Sequence, residues 1–212
     1  MIALTVSDLT DAQSACLRVS SMMKRRMDTG IPDAICIRND SFSEELFSSM
    51  VELVSSLWSG DLILESDIPS ALTGSVVSLA SRRPMIVGAN SNNLEEFCTI
   101  ASTFGCPLCI SSESLEDLLD LVQRAGSQGV TDVILDPMMK NMKQCLEMCT
   151  DIGRLAESLP EAAHPVAVRT WSGEYAMTMA TVSLLTTDAI VIMDDLDTDC
   201  CETLGSLLRS VR

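Results

Sequence analysis

The chain has 212 residues, a formal charge of −16, and 47% hydrophobic residues of which few are aromatic. That length allows one large core, while the acidity argues against a nucleic-acid partner, which needs clustered Lys and Arg. No apolar run approaches the roughly 18 residues of a membrane span, and Met-Ile-Ala-Leu-Thr-Val at the start lacks the basic flank of a secretory signal.

In chain order the sequence repeats one unit eight times: a short apolar, β-branched run, a polar cluster, then a helical stretch. Ala3–Val6 predicts the first strand. A helix is expected over Thr10–Met27, stopped by Gly30-Ile31-Pro32. Lys24-Arg25-Arg26, the one basic cluster, falls at its C-terminal end, where cations suit the helix dipole. Ala34–Ile37 predicts the second strand and Ser43–Leu57 the second helix. Leu62–Leu64 is followed by a helix from Pro69 to about Ala80, with Pro at the first helical position. Met85–Val87 precedes a helix over Asn93–Thr103. Leu108–Ile110 precedes one over Ser114–Ala125, where Ser114 and Asp117 suggest a weak capping box, and Leu115, Leu118, Leu119 and Val122 share one face. Val133–Leu135 leads into the longest predicted helix, Lys140–Leu159, ended by Pro160. Val166–Val168 leads into Glu174–Leu185, and Ala189–Ile192 into Asp199–Val211.

The runs start 23 to 33 residues apart, which is what a strand, a loop and an amphipathic helix require together. Short apolar runs suit parallel strands buried on both faces. The predicted fold is α/β: a single-domain, closed (β/α)8 TIM barrel over residues 1–212. An open doubly wound sheet is the alternative, but Val6-Ser7-Asp8-Leu9 contains no glycine-rich nucleotide loop.

Such barrels carry their sites at the C-terminal ends of the strands. Every predicted strand is followed there by a hydrogen-bonding side chain. The clusters are Ser7-Asp8, Arg38-Asn39-Asp40, Glu65-Ser66-Asp67, Asn90-Ser91-Asn92, Ser111-Ser112-Glu113, Asp136-Pro137, Arg169-Thr170-Trp171 and Asp194-Asp195. Taken together this ring predicts a small-molecule pocket. Asp136, held extended by Pro137, can accept two N–H groups of a heterocycle or act as an acid; it can equally cap the helix that follows. Arg38 and Arg169 can clamp an anion or neutralise acidic neighbours, and Trp171 can wall the pocket.

Nine cysteines without a leader read as reduced cytoplasmic thiols. Cys106/Cys109, Cys145/Cys149 and Cys200/Cys201 invite a metal reading, but four ligands must converge, and buried small hydrophobes are the simpler reading. The single histidine, His164, precedes Pro165 at a strand entry, on the wrong rim for base catalysis. Hence no metal site and no nucleophilic triad are expected.

Arg83-Pro84-Met85-Ile86-Val87-Gly88-Ala89-Asn90, Asn93-Leu94-Glu95-Glu96-Phe97, Phe104-Gly105-Cys106-Pro107-Leu108, Gly129-Val130-Thr131-Asp132-Val133-Ile134-Leu135-Asp136-Pro137 and Gly173-Glu174-Tyr175-Ala176, followed by Thr187-Asp188-Ala189-Ile190-Val191-Ile192, have a familiar order and spacing. In these the chain resembles the TIM-barrel portion of the corrinoid iron–sulfur protein large subunit, the gamma subunit of the archaeal acetyl-CoA decarbonylase/synthase complex. The resemblance implies one-carbon metabolism, with a methyl group passing between a tetrahydropterin and a cobalamin cobalt. The family's cysteine cluster for an iron–sulfur centre and its C-terminal cobalamin domain have no counterpart here. Neither cofactor is therefore expected on this chain, and a corrinoid protein is the expected partner. The barrel is also similar to pterin-binding methyltransferases and dihydropteroate synthases. On that analogy Asp136 and Asn90 (or Asn92), with Asp67, would contact the pterin, and Arg38 and Arg169 complete the candidate set. Three expectations follow: a methyltransferase or subunit of one; a non-catalytic assembly subunit that keeps the barrel; or a pterin enzyme of the dihydropteroate synthase type. A homodimer is expected from abundant helical Leu and Met.

Overall fold

A computed structural model describes residues 1–170 and 175–211. Eight strands close a barrel in sequential order: β1 (Ile2–Ser7), β2 (Ala34–Arg38), β3 (Asp61–Glu65), β4 (Met85–Ala89), β5 (Leu108–Ser111), β6 (Val133–Asp136), β7 (Val166–Thr170) and β8 (Ala189–Met193). All neighbours pair parallel, and β8 returns to β1 through Val191 opposite Ile2. The eight runs read from the sequence are these strands, and the open-sheet alternative is ruled out.

The helices are α1 (Ala12–Thr29), α2 (Glu44–Leu57), α3 (Pro69–Ser78), α4 (Leu94–Phe104), α5 (Leu115–Ser127), α6 (Met142–Leu155), α7 (Ala176–Thr186) and α8 (Thr198–Val211). Their ends follow local chemistry. Asp11 caps α1 by accepting the Ser14 N–H at 3.0 Å. Gly30 ends α1 with φ 85°, a left-handed turn that glycine adopts without a Cβ penalty. Ser114 accepts the Asp117 N–H, half of the expected capping box. Two expectations need correction. Helix α6 stops at Leu155, before a tightened turn and the 3-10 turn Pro160–Ala162, so Pro160 opens a new turn rather than ending the helix. On α5 the buried seam is Leu118, Leu121, Val122 and Ala125, with Leu119 only half-buried.

Strand parity divides the core in two. Outward residues such as Ile2, Leu4, Ile35, Leu64, Ile86, Ile110 and Leu135 pack against the helices. Inward residues Ala3, Ala34, Cys36, Ile63, Met85, Val87, Cys109, Ile134, Ala167 and Ile192 fill the cylinder. Alanine, cysteine and larger aliphatic side chains share the interior without any aromatic ring, which is how so aromatic-poor a chain packs a barrel. Among the described residues no helix is long and apolar enough to cross a membrane.

Candidate active site at the barrel mouth

Side chains alternate along a strand, so the residue two positions beyond an inward one points inward again, one layer nearer the mouth. Cys36, Ile63, Cys109, Ile134, Ala167 and Ile192 are inward. The next layer is therefore Arg38, Glu65, Ser111, Asp136, Arg169 and Asp194, all at C-terminal strand ends.

One side of this layer is a buried ion network. The Arg169 Nε donates to Asp136 Oδ2 at 2.9 Å, and its Nη1 pairs with Glu65 Oε1. Ser111 Oγ donates to the same Asp136 oxygen at 2.9 Å, and the Met138 N–H donates to Oδ1 at 3.0 Å. Below, the Cys36 thiol donates to Glu65 Oε2 at 3.4 Å. The side chains of Arg169, Glu65 and Asp136 are 23%, 13% and 2% exposed. Burial alone would lower the Arg169 pKa, but Asp136 and Glu65 outweigh it, so the guanidinium stays charged. Burial first, and then Glu65 for Cys36 and Asp136 for Cys109, push both thiols well above their ordinary pKa. Neither is available as a thiolate nucleophile.

The opposite side is closed. Arg38 pairs with Asp40 at 2.8 Å and Asp194 at 3.1 Å. Buried Asp8 accepts the Asp40 and Ser41 N–H groups at 2.9 and 3.0 Å and the Ser41 hydroxyl, which ties the β2–α2 loop to the end of β1.

Beside the ion network lies a cavity of about 580 Å³, bordered by Glu65, Asp67, Asn90, Ser111, Lys140 and Arg169. It is off-centre for a structural reason. The β4–β5 register slips between Val87 and Ala89, so Ala89 turns outward and β4 supplies no inward side chain to the mouth layer. Gly88, at φ 131°, forms the bulge; a Cβ there would lie 2.1 Å from the Ser66 carbonyl oxygen. The cavity occupies the space that β4 leaves empty.

The expected site residues divide accordingly. Asn90 borders the cavity, its Nδ2 donating to Gly88 O at 3.2 Å and its Oδ1 accepting the Asn92 N–H at 2.9 Å. Asp67 borders it from an exposed position. Asn92 is exposed and borders a neighbouring cavity instead. Asp136 lies beneath the mouth cavity, three acceptor positions already filled by its own chain. It does not cap α6; Asn141 does, accepting the Gln144 N–H at 3.0 Å. Arg169 borders the cavity, whereas Arg38 belongs to the closed side, and both neutralise acidic neighbours. Trp171 lies outside the described residues. Glu65 and Ser111 stand in the polar ring read from the sequence but were not singled out as site residues, and Lys140 was not in that ring. The signal for the first two was parity: Glu65 follows inward Ile63 by two, while Asp67 lies two residues past the strand.

Among the described residues no three His, Cys, Asp or Glu side chains converge on a metal position. All nine cysteines are free, with Cys16 and Cys200 partly exposed and the others buried. They do not supply the clustered donors of an iron–sulfur centre. His164 sits at the entry of β7, on the face away from the mouth.

Solved structures similar to the chain include dihydropteroate synthases. That from Coxiella burnetii, in complex with pteroic acid, has a TM-score of 0.73 at 12% identity, over 99% of this chain and 93% of that one. That from Thermus thermophilus has a TM-score of 0.71 at 13% identity, over 100% and 94%. At these identities the likeness shows the fold alone. By sequence, the chain is 26% identical over 204 residues to the corrinoid/iron-sulfur protein large subunit of Moorella thermoacetica, covering 89% of this chain and 46% of that protein. It is 34% identical over 106 residues to the acetyl-CoA decarbonylase/synthase complex subunit gamma of Methanothermobacter thermautotrophicus, covering 50% and 23%. The chain thus spans less than half the length of either of these curated relatives. The family described as CO dehydrogenase/acetyl-CoA synthase delta subunit matches residues 2–201, and the chain belongs to it.

Proposed function

We propose that the barrel mouth binds the reduced pterin of a one-carbon methyl-transfer system and presents it to a corrinoid partner protein. The observation that carries this reading is the off-centre cavity of about 580 Å³, with acceptors Glu65, Asp67 and Asn90 and donors Arg169 and Lys140 on its walls. A 2-amino-4-oxo pyrimidine edge offers parallel N–H donors that suit a carboxylate, and a carbonyl that suits a cation. Family membership and the names of the curated relatives support the one-carbon setting. When bound, a reduced pterin would supply a methyl group from a ring nitrogen for a corrinoid partner to accept. The residues here bind and orient. Glu65, fixed by Arg169 and Cys36, holds the heterocycle's edge, and Asp136 acts as a positioning residue by fixing Arg169. With Glu65 on the pyrimidine edge, Asp67 and Lys140 are the other ionisable groups on the wall that could move a proton at the leaving nitrogen. Methyl transfer of this kind relies on alignment and needs no nucleophilic side chain.

A second reading, a non-catalytic assembly subunit, is favoured by one observation: Asp136, Arg38 and Arg169 are all satisfied from within the chain. Calorimetric titration with methyltetrahydrofolate separates the two. Pterin binding is expected, and Glu65→Gln should weaken it about tenfold, the equivalent of ~1.4 kcal/mol. No heat from the unmutated protein would overturn the first reading, and co-purification with a corrinoid protein would then favour the second.

A further inference from the structure

The longest helix, α1, packs on the barrel through one face, where Ala15, Val19 and Met22 are buried, and leaves the other open. A period of 3.6 residues puts Gln13, Leu17, Ser20, Lys24 and Met27 on the outer stripe, with Met23 at its edge. Leu17, Met23 and Met27 are 67%, 40% and 79% exposed, and among the described residues no other helix opens three large apolar side chains. The same helix departs from the acidity of the chain. No carboxylate occurs from Ala12 to Met27, although the chain carries a formal charge of −16. Arg18 and Arg25 are committed to Asp195, Arg26 stacks on Trp58 at 4.8 Å, and Lys24 stands exposed on the stripe. Helices α3 and α7 also lack carboxylates, but each opens one large apolar side chain, Val77 and Leu185 respectively.

We propose that this stripe is a two-fold interface with a second copy of the chain, in which the two α1 helices pack antiparallel and cross at Ser20. Charge is complementary end to end. Each helix begins at Asp11 and finishes in Lys24-Arg25-Arg26, so antiparallel pairing sets the acidic start of one beside the basic end of the other and opposes their dipoles. The stripe is symmetric about Ser20: Leu17 of either copy comes level with Met23 of the other, and Gln13 with Met27. Ser20 is small enough for the close approach of a crossing. Its hydroxyl already donates to the Cys16 carbonyl at 2.8 Å, so covering it strands no polar group. The two Lys24 ammoniums stay about 12 Å apart along the axis, beyond the ~10 Å screening length at 0.1 M salt. Pairing through a carboxylate-bearing helix would instead add like-charge repulsion to a protein already at −16. A single pair of helices about 27 Å long falls at the low end of interface sizes, under about 1,200 Å². The dimer therefore dissociates on dilution, which leaves Cys16, at the stripe's edge, open to reagents. This interface is independent of what the barrel mouth binds.

Sedimentation velocity on the full chain tests the proposal. The mass should pass from monomer to dimer over roughly 1–100 μM. Leu17→Glu, at an exposed position where the fold does not depend on the side chain, should weaken the dimer at least about tenfold, whereas Leu185→Glu on α7 should leave it unchanged. Ser20→Cys under a mild disulfide oxidant should give a dimer linked between the two substituted positions, seen by peptide mass spectrometry. Helix axes about 9 Å apart bring those Cα atoms within disulfide range. Monomer at every concentration, a dimer indifferent to Leu17→Glu or lost with Leu185→Glu, or no linkage at the substituted position would overturn the proposal.

Discussion

Replacing Arg169 by Met removes the guanidinium between Glu65 and Asp136 while roughly keeping side-chain length. Asp136 is 2% and Glu65 13% exposed at the side chain, so water cannot replace the lost cation around both. Two unit charges about 4 Å apart interact by ~4 kcal/mol at an effective dielectric near 20. Removing one member of a buried pair costs about 3–5 kcal/mol, since it strands the partner. Arg169 is itself 23% exposed, which places the expected loss near the lower end, ~3 kcal/mol. Domains are typically stable by about 5–15 kcal/mol, so the variant should still fold. Urea unfolding followed by circular dichroism should show a lower midpoint with an unchanged slope. Adding Glu65→Gln should recover part of the loss, giving a coupling of at least ~1 kcal/mol in a double-mutant cycle. A loss below about 1 kcal/mol, or strict additivity, would refute the claim that these three charges form one buried unit.

Other outcomes follow from the same geometry. Gly88→Ala sets a Cβ against the Ser66 carbonyl at a φ of 131°, and should destabilise by about 3 kcal/mol in the same urea assay. In native protein at mildly alkaline pH, thiol labelling read by mass spectrometry should reach Cys16 and Cys200 first, the seven buried thiols reacting only after unfolding. Burial lowers the His164 pKa below its ordinary 6.5, so the unfolded state binds more protons in that range. His164 stability is thus complete above pH 6.5 and lost as pH falls below it. Urea midpoints at neutral and mildly acidic pH should therefore differ less in His164→Gln than in the unmutated protein.

The barrel was legible because each strand is a short run buried on both faces, so composition alone marks it, and because strand–helix spacing admits few other folds. Helix ends were less legible. Pro160 looked like a terminator for α6, but the helix has already ended at Leu155 and the chain turns from Ala156 onward. In the site, Asp136 was legible from its position after Val-Ile-Leu and before Pro137. Its role was not, because its partners, Ser111 and Arg169, lie 25 and 33 residues away. Glu65 was passed over for Asp67 because the strand's last residue had not been assigned a face. Once Ile63 points inward, Glu65 must as well. The cavity itself was hidden, since it exists through the register slip at Gly88, and a lone glycine in a strand signals a bulge without saying what the bulge opens.

A crystal structure of the protein with a bound methyltetrahydropterin tests the central claim most directly. The heterocycle should lie in the off-centre cavity, its amino-pyrimidine edge against Glu65 and Arg169. A pterin bound at the opposite face, or a mouth that stays empty at saturating ligand, would contradict the account.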